Sequence, residues 1–408
     1  MGVKILSLYD GMACGMIAML LAGVPVESYD AYEIDKYAIK VATHNFPNIK
    51  EHGDVFEADF TQYEGVDFLV GGSPCTYWSI AQTKNRETVA SGMGWEMFSQ
   101  YVRALKESKP KYFIYENNKS MSKQIRESID DAFGFEAICI NSALVSAQNR
   151  QRLYWVGKRN ADGTYSRVNV EQPADRGILL KDVLDSAVAR DLTCNDKSYT
   201  LTASYDGACA WNTLERHQRN MVAEPINSTR DGKAQCLRAT CYKDGIRNIV
   251  ANEVDKKTGV AEPINATASG KAKTISASYA YKGDGEGSLK SELFPDNPIK
   301  QTSNYVAEPT DKGEKEKTIY EVLDGKITIK GKQYPIKLKD GYYIIRKLTV
   351  SECKRLQTVP EWYDFSVISN SQAFKCLGNG WTCEIICHLI NSCFKPADAL
   401  PGQMCLWG

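Results

Sequence analysis

Residues 66–75 read VDFLVGGSPC. Val66 to Val70 form a run of strand length closed by glycine, with the look of a buried strand. Gly71 and Gly72 let the chain leave that strand sharply, and Pro74 restrains the backbone just before Cys75. The stretch predicts a thiol at the rim of a sheet. Cysteines are more often packed than poised for chemistry, so the neighbouring segments decide how Cys75 is read.

The same rhythm continues on both sides. Strand patterns VKILSLY (3–9), SYDAYEI (28–34), YFIYE (112–116), FEAICINSAL (135–144) and RLYWVG (152–157) alternate with helical patterns GMIAMLLAG (15–23), KYAIKVATHNF (36–46) and WEMFSQYVRALKES (95–108). Alternation of this kind predicts a doubly wound α/β sheet with ligands at the carboxyl ends of its strands.

The predicted strand ends carry the chemistry. LYDGMACG (8–15) places Gly11 and Gly15 at a tight turn where backbone can approach a ligand. Glu33 ends the second strand, suited to accept hydrogen bonds from ribose hydroxyls, and Asp54 follows in HGDV. No complete G-x-G-x-x-G or G-x-x-x-x-G-K-[ST] is present, which favours a nucleoside cofactor over a dinucleotide or nucleoside triphosphate. Glu116 ends an apolar strand, and a partly desolvated carboxyl suits an acid that protonates a ring nitrogen. Gln148, Arg150 and Arg152 alternate, so on a strand they share one face, where two guanidiniums can steady a carboxylate, a phosphate or a base carbonyl. Thiol, proton donor and cation are thus expected at one site.

Composition sets the frame around that site. At 408 residues and 43% hydrophobic the chain can bury a large core and reads as two lobes. No membrane span or signal peptide is evident, so a cytoplasmic protein is expected, without a membrane partner. The 13 cysteines lack C-x-x-C pairs and read as free thiols. Cys383 and Cys387, one helical turn apart beside His388, read as core packing, and no metal is expected. With 50 basic and 50 acidic residues there is no global signature of a nucleic-acid binder, so such a partner must be argued from a site.

Five motifs then occur in order: PC with a serine at Ser79, ENN at 116–118, Q-x-R-x-R at 148–152, IRKLTVSECKRLQTVP at 345–360 and FKCLGNGWTCEII at 374–386. In this the chain resembles the DNA (cytosine-5)-methyltransferases, a family that spans phage and restriction-modification enzymes. The resemblance implies a Rossmann-like S-adenosylmethionine-dependent methyltransferase sheet with a smaller β-rich target-recognition lobe. It implies a catalytic and cofactor-binding domain over 1–180, recognition over 181–345, and a return to the catalytic domain over 346–408. Cys75 is then the nucleophile that adds to cytosine C6, Glu116 serves N3, and Arg150 and Arg152 serve the base, which must be flipped out of the duplex. Tyr9, Gly11, Met12, Glu33, Ile34, Asp54, Val55, Pro74, Asn379 and Trp381 are implied to line the S-adenosylmethionine site. Ser79, Lys84, Arg86 and Gln148 are implied to meet double-stranded DNA, with Gly92 and Gly94 as hinges of the loop that carries the cations. The expected state is a monomer in a bacterial or phage-infected cell. RNA methylation by the same fold and a catalytically silent DNA-binding homologue are the competing readings.

Within the middle region VAEPIN occurs at 222–227 and 260–265, and VAEP again at 306–309. TASY, ATCY and SASY end at Tyr205, Tyr242 and Tyr279. Short repeats of this kind are expected to stack, because one alone cannot bury its own core. Thr349 and Glu352 predict a capping box at the start of a helix.

Overall fold

The computed structural model describes residues 2–80, 86–186, 189–225 and 319–394. The chain falls into two compact units, one of Met1–Val183, Asn195–Ala208 and Leu348–Gly408, the other of Leu184–Cys194 and Cys209–Lys347. Lys84 and the repeats between 226 and 318 lie outside the described residues.

The first unit is built on an eight-stranded sheet. Its path runs β3 (Lys50–Glu51), β2 (Val26–Tyr32), β1 (Val3–Leu8), β4 (Phe68–Gly71), β5 (Tyr112–Asn118), β7 (Gln151–Arg159), β6 (Ile138–Asn141), with β8 (Tyr165–Arg167) paired to β7. The pairs from β3 to β5 are parallel. β7 runs antiparallel to both β5 and β6, because the short connection over 142–150 allows a reversal but no crossover. That reversal brings the start of β7 beside the end of β5.

Consecutive residues of the central strands serve opposite cores, which is why they read as continuous apolar runs. Ile5, Phe68, Val70 and Ile114 join α1 (Cys14–Leu21) and the Cys383–Phe394 helix on one face. Leu6, Leu69, Phe113 and Tyr115 face α3 (Met93–Ser108) and α4 (Lys123–Phe133) on the other. The last helix supplies Ile385, Ile386, Leu389 and Ile390 to the first core, and Cys383 is buried with them. α2 (Lys36–Asn45) is capped by Asp35, which accepts from the Tyr37 N–H at 2.9 Å. The Val350–Leu356 helix carries a complete capping box between Thr349 and Glu352.

The second unit contains a six-stranded sheet in the order β13 (Lys332–Pro335), β12 (Lys326–Ile329), β11 (Ile319–Leu323), β14 (Gly341–Lys347), β10 (Met221–Pro225), β9 (Arg190–Asp191), all neighbours antiparallel. Residues 195–208, read from sequence as part of the recognition region, cluster instead with the first unit. Side chains of that unit hold them: Gln148 accepts from the Leu201 N–H at 2.9 Å and Arg150 donates to the Leu201 carbonyl at 2.9 Å.

Candidate active site

After β4 the chain passes so close to β5 that a Cβ on Gly72 would stand 2.6 Å from the Glu116 carbonyl oxygen and 3.0 Å from its Oε2. Only glycine fits there. Ser73 is then fixed from the side, its hydroxyl 2.6 Å from the Tyr115 hydroxyl and its carbonyl accepting from Asn117 Nδ2 at 3.1 Å. Pro74, with φ −49°, leads into a single 3₁₀ turn at Cys75–Tyr77, closed by the Trp78 and Ser79 N–H groups on the Cys75 carbonyl. Among the described residues Cys75 is the one exposed cysteine, and it is unbonded.

Beside this turn lies a carboxylate held on both oxygens. Arg152 Nε stands 3.0 Å from Glu116 Oε1, and the Trp381 indole N–H donates to Oε2 at 3.0 Å. The side chains of Glu116 and Arg152 are only 12% and 14% exposed. The antiparallel register pairs Asn118 with Arg152 and Glu116 with Tyr154, so Arg152 meets Glu116 diagonally on one face. Where the sequence reading invoked desolvation alone at Glu116, the structure supplies a cation and an indole donor. Trp381, expected against the cofactor, spends its N–H on this carboxylate.

The expected face of three side chains does not form. Gln148 and Arg150 precede β7 and turn inward, fully buried or nearly so. Gln148 donates to the Leu356 carbonyl at 3.0 Å while accepting from Leu201, so it has no surface to offer DNA. Arg150 donates to the carbonyls of Leu201, Gly378 and Gly380. Burial first, and Arg152 second, bring its guanidinium down to about 10; its charge still acts on Glu116 and Cys75. Arg150 is therefore a scaffold residue whose guanidinium is spent on three backbone carbonyls, which leaves it no direct contact with a base. Arg86 is likewise committed, donating to the carbonyls of Trp78 at 3.2 Å and Ser120 at 2.7 Å.

At the ends of β1 to β3 a second cluster of polar groups takes shape. Tyr9, Gly11 and Ala13 all adopt positive φ, of 58°, 62° and 59°. A tyrosine held there is strained, a common mark of a functional loop. Its hydroxyl donates to the Met97 carbonyl at 2.8 Å, and burial pushes the phenol well above its ordinary range. Glu33 accepts from the N–H groups of Gly11, Ile34 and Asp35, each at 2.8 Å. Ile34 is 72% exposed, an apolar surface left open next to that carboxylate. Asp54 caps the turn beginning at the buried Val55, accepting from Phe56 at 3.0 Å. Met12 is buried and its carbonyl accepts from the Tyr363 hydroxyl, while Asn379 is exposed at the end of the Asn370–Asn379 helix.

Two acids outside the expected set of cofactor contacts complete this cluster. Asp10 Oδ1 accepts from Ser7 and Tyr29, but its buried Oδ2 has no partner. Both oxygens of Glu51 are buried and unpartnered. Burial raises the Asp10 carboxyl to about 6 and, with help from Asp10 and Glu33, that of Glu51 to about 8. Unsatisfied acids at one strand edge fit a ligand that brings positive charge. The available signal was an acid next to an apolar strand end, in LYDG and IKEHGD.

Residues 3–395 match the family model described as C-5 cytosine-specific DNA methylase. The chain belongs to that family. This methylase is 27% identical over 430 residues to an orphan methyltransferase, M.SPRI, of Bacillus phage SPR, spanning 94% of this chain and 95% of the relative. It is 32% identical over 240 residues to the type II methyltransferase M1.ScrFI of Lactococcus lactis subsp. cremoris, spanning 55% of this chain and 58% of the relative. Its fold is shared with a crystal structure of Spodoptera frugiperda DNMT2, at TM-score 0.51 and 16% identity over 97% of this chain and 100% of that one. The cofactor of the methylase is S-adenosylmethionine and its substrate is DNA. The sulfonium and ammonium charges of that cofactor suit the unpartnered acids Asp10 and Glu51, and its ribose suits the remaining acceptor capacity of Glu33.

Proposed function

We propose that Cys75 is the nucleophile of this methylase and that Glu116 and Arg152 orient the target cytosine beside it. The observation that carries the reading is the exposed Cys75 thiol, three residues after the Gly72 contact with the carboxylate that Arg152 and Trp381 hold. Cytosine C5 is a weak nucleophile. Addition of the Cys75 thiolate to C6 moves an electron pair toward N3 and makes C5 enamine-like. Glu116 holds the proton at N3, and Arg152 meets the base carbonyl. S-adenosylmethionine, when bound, supplies an electrophilic methyl group. Loss of the C5 proton to a base then re-forms the C5–C6 double bond and expels the Cys75 thiolate. A base stacked in a duplex offers neither ring face to a thiol, which supports extrusion of the base from double-stranded DNA.

The cofactor is read against Tyr9, Gly11, Met12, Glu33, Ile34, Asp54 and Val55, with Pro74 and Asn379 at the margin. The second unit is read as the recognition lobe. Within it, Arg216 and Lys330 lie over the Trp211 ring at 5.0 and 5.7 Å, a cationic and aromatic surface suited to phosphate contact. No helix among the described residues is long and apolar enough to cross a membrane. The working form is read as a monomer acting in the cytoplasm. Methyl transfer to duplex DNA, followed by bisulfite sequencing, tests the reading: Cys75→Ala abolishes transfer and preserves DNA binding, and transfer that persists in this variant overturns it.

A further inference from the structure

The chain just before α3 forms a hydrogen-bonded brace around the Cys75 turn. Arg86 reaches two carbonyls that belong to different strand ends: Trp78, which closes the turn after β4, and Ser120, in the loop that leaves β5. Ser120 makes one more link between these ends and one back into β5. Its hydroxyl accepts from the Ile80 N–H at 3.3 Å and donates to Asn118 Oδ1 at 2.7 Å. Asn118 pairs with Arg152 across the sheet, so the brace ends on the strand pair that holds Glu116.

Glu87 extends the brace in the other direction. Its N–H donates to the Tyr77 carbonyl at 2.8 Å. Its carboxylate accepts from the indole of fully buried Trp78 at 3.0 Å and from the Gly94 N–H at 3.2 Å, in the first turn of α3. A Cβ on Gly94 would stand 2.5 Å from the Trp78 indole nitrogen and 2.6 Å from Glu87 Oε2, so glycine is required for this closure. Ser122, the cap of α4, adds a bond from its hydroxyl to the Thr88 carbonyl at 2.5 Å. Tyr77 and Trp78, at the end of the Cys75 turn, are therefore tied to β5 and to α3 through Arg86 and Glu87.

We propose that Arg86 and Glu87 are positioning residues that hold the Cys75 thiol in register with the Glu116–Arg152 pair. The proposal rests on Cys75 being the nucleophile and replaces the phosphate contact expected of Arg86. A guanidinium can serve two carbonyls lying in different directions, whereas a lysine ammonium acts as a point charge at the end of a flexible stem. A phosphate contact would accept either residue.

The test uses the full chain, S-adenosylmethionine and a duplex containing 5-fluorocytosine. It measures the rate of covalent adduct formation at saturating DNA, and DNA affinity across a salt series. Arg86→Ala lowers the saturated rate by roughly tenfold to a hundredfold, the scale set by a misplacement of about 1 Å, and leaves the slope of log affinity against log salt unchanged. Arg86→Lys behaves like Arg86→Ala. A phosphate contact gives the opposite pattern: an unchanged saturated rate, a salt slope reduced by about one, and rescue by lysine. That pattern, or wild-type behaviour of Arg86→Ala on both axes, overturns the proposal. Should Arg86→Ala lose cooperative melting, Glu87→Gln decides instead: a reduced saturated rate at unaltered DNA affinity supports the brace, and an unaltered rate overturns it. Absence of any adduct in the wild type refutes Cys75 as nucleophile, an outcome distinct from failure of the brace.

Discussion

Glu116→Gln perturbs the site at its best-defined point. Glutamine retains one carbonyl oxygen, which can accept from Arg152 or from the Trp381 indole. Its amide NH₂ then faces whichever donor remains, so one of two bonds at 3.0 Å is replaced by a donor–donor contact. Hydrogen bonds to a charged group contribute about 1.5–3 kcal/mol each. Arg152, 14% exposed, also loses its counter-charge, and breaking a buried pair on one side costs about 3–5 kcal/mol. Because glutamine keeps one acceptor, the lower end applies, about 3 kcal/mol, which lowers the melting temperature by roughly 4–6 °C for a chain of this size. Turnover falls further than stability, by about 10²–10⁴-fold, because N3 loses its proton donor. The assay pairs a thermal melt with kcat at saturating DNA and cofactor. A double-mutant cycle with Trp381→Phe adds the coupling between the two side chains. Turnover within about tenfold of wild type refutes the role given to Glu116, and an unchanged melt refutes the carboxylate geometry.

Other perturbations separate scaffold from chemistry. Gly72→Ala forces a methyl against the Glu116 backbone and destabilises by about 1–3 kcal/mol, with a loss of kcat read at saturating DNA. Gln148→Ala strips bonds from a buried amide and lowers the melting temperature, yet leaves the salt dependence of DNA binding unchanged, measured by fluorescence anisotropy. The folded Glu51 carboxyl, raised to about 8 against an ordinary 4.5, holds its proton where the unfolded chain has released it. Its contribution to stability is therefore full below about pH 4.5 and is lost as pH rises through about 8. Glu51→Gln flattens that slope in melts of the cofactor-free protein and weakens S-adenosylmethionine binding, measured by calorimetry.

Where a residue's role depended on its own strand, the sequence was enough to read it. The runs that become β1, β4 and β5 are mostly apolar because each face meets a core, and Gly11, Cys75 and Glu116 lie at or near their ends. Thr349 and Glu352 announced their capping box in the same local way. α4 went unread although Ser122 before it, Gly134 after it and the spacing of Ile125, Ile129 and Phe133 are all helix signals. Arg150 and Gln148 were misread because alternation implies one face only inside a strand, and both precede β7. Arg86 looked like a free loop cation, since nothing local reveals that the Trp78 and Ser120 carbonyls converge on it. Asp10 and Glu51 each stood beside a strand end, but their meeting needed the strand order, which sets β1, β2 and β3 side by side.

The central claim, that this methylase works through Cys75, is tested most directly by peptide mapping of the adduct formed with a 5-fluorocytosine duplex and S-adenosylmethionine. The account predicts that the modified nucleotide is carried on Cys75 and that Cys75→Ser yields no stable adduct. A cross-link on any other cysteine, or an adduct that survives in Cys75→Ser, contradicts it.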